Sequence, residues 1–489
     1  MLFNSLHFFV FFPVVVGLYY GLPPRWRGPL LLLASYYFYM SWRADYALLL
    51  LATTALDYYS GVRMSRLLTK RERRPWLALS LISNLGTLFV FKYFNFFRDA
   101  AGALAGALHL PVGAGPALGL LLPVGVSFYT FQSVGYIIDV YQGRLAAERN
   151  FGRFALFVAF FPQLVAGPIE RGGHMLPQFR REHQCDYARI VSGLRLMAWG
   201  LFKKVVVADR LALLVNPVFN HPRQHPEGPL LVLATLAFTF QIYGDFSGYT
   251  DLARGAARVL GFDFNLNFRQ PYQSASVPEF WRRWHISLSS WFRDYVYIPL
   301  GGSRVAPARS YFNLLAVFLI SGLWHGANFT FIVWGGLHGL YLVLSTWAKP
   351  LREQLAQRTG LAAHPGLRRG LGVLLTFVLV AYAWIFFRAN TLEDALFISR
   401  HLLSGWQLNG RQVATLLLDF SQHYRPELAV ATLAVGLMLA VEYLGSRRAP
   451  QAWVAAQPWP TRWMGYVGLM LLILYLGIFN STSFIYFQF

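Results

Sequence analysis

The sequence predicts an all-α polytopic membrane protein, on three observations. Of its 489 residues, 56% are hydrophobic and 13% charged, whereas soluble domains carry about a quarter charged residues. Apolar runs near the roughly 20 residues that cross a bilayer as a helix recur along the whole chain. Basic residues gather between those runs, as they do in loops that set topology.

Candidate spans lie near 6–22, 28–42, 45–61, 76–97, 117–141, 151–168, 188–215, 228–248, 311–330, 331–348, 370–388, 427–444 and 464–480. Some are short or polar enough to be re-entrant, so about 11–13 transmembrane or re-entrant helices are expected. The opening MLFNSLHFFVFFPVVVGLYY lacks a basic first region and a small-residue cleavage site, and reads as a first span. Arg25 and Arg27, the run Lys70 to Arg74, Arg144 with Arg149, Arg368 with Arg369, and Arg447 with Arg448 fit one alternating arrangement. With these loops inside, both termini lie outside. No linker, repeat or low-complexity tract marks a boundary, so one membrane domain over 1–489 is expected.

The net charge of +21 would suggest a nucleic-acid partner in a soluble protein. Here the basic residues are topology-setting loop residues, and no nucleic-acid partner is expected. The single cysteine, Cys185, allows no disulfide within the chain, and no Cys/His zinc pattern occurs.

Residues 262–310 break the pattern and form a non-spanning segment. Ser276-Val277-Pro278-Glu279 has capping-box spacing with proline in the first turn, so a helix starts there. Phe280, Trp281, Trp284, Leu288, Trp291 and Tyr295 then recur at helical spacing and give one broad aromatic face. Arg282, Arg283, His285, Ser289 and Arg293 take the other faces, and Pro299 with Gly301-Gly302 ends the element. Two readings stand: an amphipathic helix lying in the headgroups, or a helix lining a polar cavity. His285 amid the aromatics favours the cavity, as do the polar residues of the next apolar stretch, Ser321 to Asn328 and Trp334 to Gly339. Ionisable groups at membrane depth usually face a cavity.

Two further polar clusters are Gln241 to Asp251, which holds Asp245 and Asp251, and Gln163 to Arg171, which holds Glu170. A capped helix start explains the first as readily as chemistry does. A loop at a span's end explains the second better. The common phosphate-loop, dinucleotide, zinc-protease and nucleophile-elbow motifs are missing. What remains is a pair of membrane histidines with carboxylates nearby. An imidazole can take the proton of a hydroxyl that attacks an acyl carbonyl. A proton or solute transporter, or a scaffold without chemistry, is equally compatible with these groups alone.

The strings FWRRWHISLSSWFRDYVYIPLGGSR and SGLWHGANFTFIVWGGLHG closely resemble the membrane-bound O-acyltransferase family, in its bacterial branch that serves alginate O-acetylation. LLLASYYFYMSW, LPVGVSFYTFQSVGYIIDVYQG, FFPQLVAGPIERG and YGDFSGYTDLARG carry the resemblance along nearly the whole chain. It implies a helical bundle around a tunnel, with acetyl-CoA as donor substrate from the cytoplasm and no permanently bound cofactor or metal. It maps the family's near-invariant histidine onto His325 and its second motif histidine onto His285, both expected to be catalytic. Arg282, Arg283, Arg293, Asp294, Asp245, Asp251, Trp324 and Asn328 are the expected donor- or substrate-binding residues. The related D-alanyl transfer proteins share WRRWH and WHG but differ from IPLGGSR, which favours acetyl transfer. The resemblance also implies the bacterial inner membrane, with the lipid bilayer, esterase-like periplasmic acetyltransferases and a polysaccharide synthase as partners. Alginate, cellulose and peptidoglycan remain open as acceptors.

Overall fold

A computed structural model describes residues 1–110, 115–165, 167–406, 425–447, 456–479 and 484–485. Among these the regular structure is helical, with no strand. Every expected span coincides with helix, although the boundaries move. The first three are Leu6–Gly21, Pro24–Met40 and Tyr46–Ser65. The fourth begins earlier than expected, at Lys70, because Thr69 and Glu72 close a reciprocal capping box ahead of the apolar run. It continues through a π-helical turn at Phe89–Tyr93 to Ala107. The fifth begins late, at Val126: Pro123 and a left-handed Gly125 keep the preceding apolar stretch out of the helix. The sixth breaks at Phe160 into Phe151–Ala159 and Phe161–Leu164.

Among the described residues, five helical segments can cross a membrane by length and composition: Lys70–Ala107, Gly228–Val259, Phe329–Trp347, Pro365–Arg388 and Glu427–Gly445. Leu6–Gly21 and Phe151–Leu164 are shorter apolar helices. Large apolar side chains such as Leu33, Leu48, Ile82, Leu374 and Leu433 lie exposed, an arrangement suited to lipid and costly in water.

The chain divides into two compact units. The first comprises Met1–Arg195 and Ala253–Asn265. Its helices pack through aromatic rings, with Phe8, Phe11 and Phe161 grouped around Phe38. Its buried carboxylate Asp57 accepts from Ser80 Oγ (2.5 Å) and Asn84 Nδ2 (2.9 Å), which links the Tyr46–Ser65 and Lys70–Leu88 helices. In the Pro168-Ile169-Glu170 loop, fully buried Glu170 accepts from the Asn265 backbone (2.6 Å) and side chain (2.8 Å) and bonds His174 Nδ1 (2.7 Å). The conspicuous glutamate of the 163–171 cluster therefore braces a loop.

The second unit comprises Leu196–Leu252 and Leu266–Phe489. Two close helix crossings organise it. A Cβ on Gly200 would lie 2.6 Å from the Gly248 carbonyl oxygen, and one on Gly248 would lie 2.7 Å from that of Gly200. Only glycine at both positions permits that contact. The Pro307–His325 and Phe329–Trp347 helices cross in the same way: a Cβ on Gly322 would run into the Phe331 carbonyl, and one on Gly335 into that of Phe318. The first crossing positions a buried charge cluster, and the second positions His325 and His338.

One sequence expectation is corrected. The segment after Ser276 is not a single helix. Ser276 caps as expected, accepting from Glu279 N (3.3 Å). The helix stops at Trp281, however, and a second runs from Ile286 to Phe292 and continues as a π-helical stretch, Arg293–Tyr297. His285 sits at the break with φ +41°, in the left-handed region where non-glycine residues are uncommon. The break is held from outside the segment. Ile286 N bonds the Asn267 carbonyl (3.0 Å), Ser287 N and Oγ bond Asn267 Oδ1 (3.2 and 2.8 Å), and Arg269 N bonds the Arg283 carbonyl (2.9 Å).

Candidate active site

The break that interrupts the aromatic helix also sets the site. His285 is fully buried. Its ring lies edge-on to Phe246 with centroids 4.6 Å apart, and meets Trp324 at 6.3 Å. Burial holds its imidazole down to about 3, so the ring is neutral at any physiological pH. A neutral imidazole keeps one nitrogen as acceptor and one as donor.

His325 ends the Pro307–His325 helix, immediately before Gly326. It is 4% exposed and surrounded by aromatic rings: Trp324 at 4.8 Å, Trp334 at 5.0 Å and Phe387 at 5.4 Å. The Trp324 ring therefore contacts both motif histidines. The two residues lie 40 apart in sequence, yet the fold brings them to one indole. Burial argues against a headgroup-lying helix here: Phe280, Trp281, Trp284, Leu288 and Trp291 are all buried.

A third histidine belongs to the same cluster. His338, on the Phe329–Trp347 helix, is fully buried and accepts at Nδ1 from Trp281 Nε1 (3.3 Å). Its ring meets Trp334 at 5.0 Å and Trp384 at 6.3 Å. The sequence marked His338 as a polar residue at membrane depth but assigned it no role. Its i+4 spacing from Trp334, on a helix studded with glycine, was the available signal.

The other candidates divide by environment. Asp245 and Asp251 join a buried charge cluster. Lys204 Nζ lies 2.7 Å from both Asp209 and Asp245, and Lys203 Nζ lies 2.5 Å from Asp251. Asp245 also accepts from Ile485 N (2.8 Å). Close by in the same unit, Tyr243 donates to Glu442 (2.7 Å). Sequence reading missed both lysines, which lie in the middle of an apparent span. They sit in a π-helical stretch, Phe202–Ala208, a local widening that often accompanies functional or strained positions.

The arginines lie toward the surface. Arg282 is exposed, Arg283 pairs with Glu279 (2.7 Å), and Arg293 pairs with its neighbour Asp294 (2.8 Å). Arg369 also approaches Glu279, at 3.5 Å. Asn328 caps the Phe329–Trp347 helix through Thr330 N (3.1 Å) and donates to the Asn390 carbonyl (3.0 Å). Those bonds give Asn328 a structural task beside His325.

Comparison with known proteins bears on this arrangement. The family model for MBOAT, the membrane-bound O-acyltransferase family, matches residues 144–384, a stretch that contains His285, His325 and His338. A probable alginate O-acetylase of Pseudomonas aeruginosa is 42% identical over 435 residues, covering 86% of this chain and 80% of that protein. A peptidoglycan O-acetyltransferase of Helicobacter pylori is 35% identical over 455 residues, covering 86% of this chain and 83% of that protein. A teichoic acid D-alanyltransferase of Streptococcus thermophilus is 29% identical over 303 residues, covering 58% of this chain and 71% of that protein.

Proposed function

Since the chain belongs to the membrane-bound O-acyltransferase family and is a multi-pass membrane acyltransferase, we propose that it moves acetyl from cytoplasmic acetyl-CoA to an alginate-type exopolysaccharide at the bacterial inner membrane. One observation carries the proposal: two buried histidines 40 positions apart meet at the Trp324 indole, within a chain 42% identical to an alginate O-acetylase. The higher identity to O-acetyl-transferring relatives than to the D-alanyl-transferring one favours acetyl as the group moved.

In this reading His325 is the general base. Its imidazole takes the proton of the attacking hydroxyl as that oxygen bonds the thioester carbonyl carbon. The carbon–sulfur bond then breaks, the CoA thiolate leaves, and the imidazolium returns the proton to sulfur. The products are an acetyl ester and CoA, with every proton accounted for. Such base assistance contributes about 10²–10⁴-fold to rate. His285, neutral and buried against Phe246, holds the far side of Trp324 and orients the reacting groups. The exposed Arg282 and Arg293 reach the CoA phosphates from the cytoplasmic mouth as charge-assisted partners. The acceptor hydroxyl arrives from the opposite side, either on the polymer or on a periplasmic esterase-like partner that works with the polysaccharide synthase. One membrane-embedded domain with both termini outside serves that path.

The test is the His325→Ala variant, purified in detergent beside the wild type. We expect unchanged insertion and unfolding temperature, no release of free thiol from acetyl-CoA, and no O-acetyl groups on surface polymer. Polymer acetylation that survives this substitution would sink the assignment. A transporter or scaffold would release no thiol even as wild type. Mass spectrometry of alginate and peptidoglycan from a deletion strain identifies the acceptor.

A further inference from the structure

The aromatic cluster around His338 contains polar atoms that nothing in the described fold satisfies. Indole nitrogen is only a donor. Because Trp281 Nε1–H points to His338 Nδ1 (3.3 Å), that nitrogen is the acceptor, and the neutral ring carries its proton on Nε2. His338 Nε2–H is therefore a donor, and it has no partner among the described residues. The same holds for Trp334 Nε1–H and Trp384 Nε1–H, and all three side chains are fully buried. The three rings pack against one another, with centroids 5.0 Å apart for Trp334 and His338, 5.8 Å for Trp334 and Trp384, and 6.3 Å for His338 and Trp384. Trp334 is also the ring against His325, at 5.0 Å.

Buried donors are almost always paired, and leaving one unpaired is costly. Three in one ring cluster, beside the proposed base, call for a ligand that accepts and does not donate. We propose that His338 Nε2–H, Trp334 Nε1–H and Trp384 Nε1–H form a carbonyl-oxygen site that receives the acyl thioester next to His325. The proposal rests on the acyl-transfer reading given above. As the acceptor oxygen attacks, the carbonyl π electrons move onto oxygen, where fixed N–H groups stabilise the charge. The electrons then return as the carbon–sulfur bond breaks, and His325 hands its proton to the thiolate. Donors that strengthen their bonds only as charge develops raise kcat and leave KM little changed.

The experiment measures thiol release from acetyl-CoA by purified full-length protein. His338→Leu removes the donor. His338→Gln keeps an acceptor for Trp281 and an outward N–H. Trp334→Phe and Trp384→Phe keep an aromatic ring and remove only the N–H. We expect kcat to fall about 10²–10³-fold in His338→Leu, with the KM for acetyl-CoA within about threefold. His338→Gln should recover most of that loss with the wild-type pH profile, because a donor and not a titrating base is being replaced. Each tryptophan variant should lose roughly tenfold in kcat, a partial loss of transition-state hydrogen bonding. Wild-type kcat in His338→Leu would overturn the site and leave an ordered water as the donors' partner. Should His338→Leu fail to fold, the two Trp→Phe variants decide, and wild-type kcat in both overturns the proposal. An imidazole-specific loss that Gln does not recover would also overturn it. Turnover by wild type and none by His325→Ala keeps the acyl-transfer reading intact whichever way the carbonyl site falls.

Discussion

The second unit holds two buried polar clusters, and they treat their polar atoms in opposite ways. Around Lys203 and Lys204, cations meet carboxylates at 2.5–2.7 Å, across a helix crossing that glycines at 200 and 248 bring into contact. Around His338, aromatic rings leave three N–H donors without acceptors among the described residues. Charge removed from water is stable only with close partners, and the first cluster pairs its cations and carboxylates with one another. In the reading proposed above, the acyl carbonyl oxygen completes the second. We propose that conspicuous carboxylates, such as Asp245 and Asp251, lie on the structural side of this contrast. The less conspicuous tryptophans lie on the chemical side.

The strongest way to break the contrast is Lys204→Met. It leaves Asp209 and Asp245 without the shared cation, and removing one partner of a buried pair costs about 3–5 kcal/mol. Protein recovered from membranes should fall sharply and the unfolding temperature in detergent should drop. Full accumulation with loss of turnover alone would instead place Lys204 on the chemical side.

A second substitution probes the other crossing. A side chain at Gly322 would meet the Phe331 backbone, whereas at Gly336 the nearest atom is the Leu319 Cδ2, 3.6 Å away. Gly322→Val should destabilise by about 1–3 kcal/mol through overpacking and displace His325 from the Trp334 ring. Gly336→Ala, the control, should change stability by less than about 0.5 kcal/mol. Equal effects on unfolding temperature and thiol release would show that the crossing does not position the site.

The Glu170 brace in the first unit supplies a milder, titratable case. The hydrogen bond to Glu170 raises the His174 pKa above its ordinary value, against a smaller opposing effect of burial. A raised folded-state value means the stabilisation is complete below the ordinary histidine pKa, about 6.5, and fades as pH rises through the raised one. Between pH 5.5 and 8.5 the unfolding temperature should therefore decline more in wild type than in His174→Gln. Parallel curves would remove the brace's titration from the account. Because His174 is partly exposed, the difference should be small.

The smallest effect is expected on stability from Arg293→Ala, whose pair with Asp294 is solvent-facing and worth under about 1 kcal/mol. A rise in the KM for acetyl-CoA without loss of stability is the outcome that matches phosphate binding. An unchanged KM would leave the arginine as a surface ion pair.

What was legible in the sequence was whatever local spacing encodes. Apolar runs marked the helices from Leu6–Gly21 to Trp459–Leu476, because a bilayer-length stretch of apolar side chains has few other ways to satisfy its backbone. The cap at Ser276 was legible because its partner, Glu279, is three residues away. The motif strings brought His285 and His325 into view through resemblance, although spacing alone left transport and scaffold readings open. The break at His285 was hidden, since its backbone is held by Asn267 and Arg269, outside the periodic segment. The pairing of Lys204 with Asp245 was hidden by 40 residues of intervening chain and by a glycine-to-glycine crossing that no periodicity reveals.

The sequence by itself determined a multi-pass helical membrane protein and its family, because hydrophobic length and motif strings are properties of contiguous residues. Only the tertiary structure decided which polar residues are paired and which are left without a partner among the described residues. Pairing depends on where helices cross, and here the crossings are set by glycines whose missing side chains let distant backbones touch.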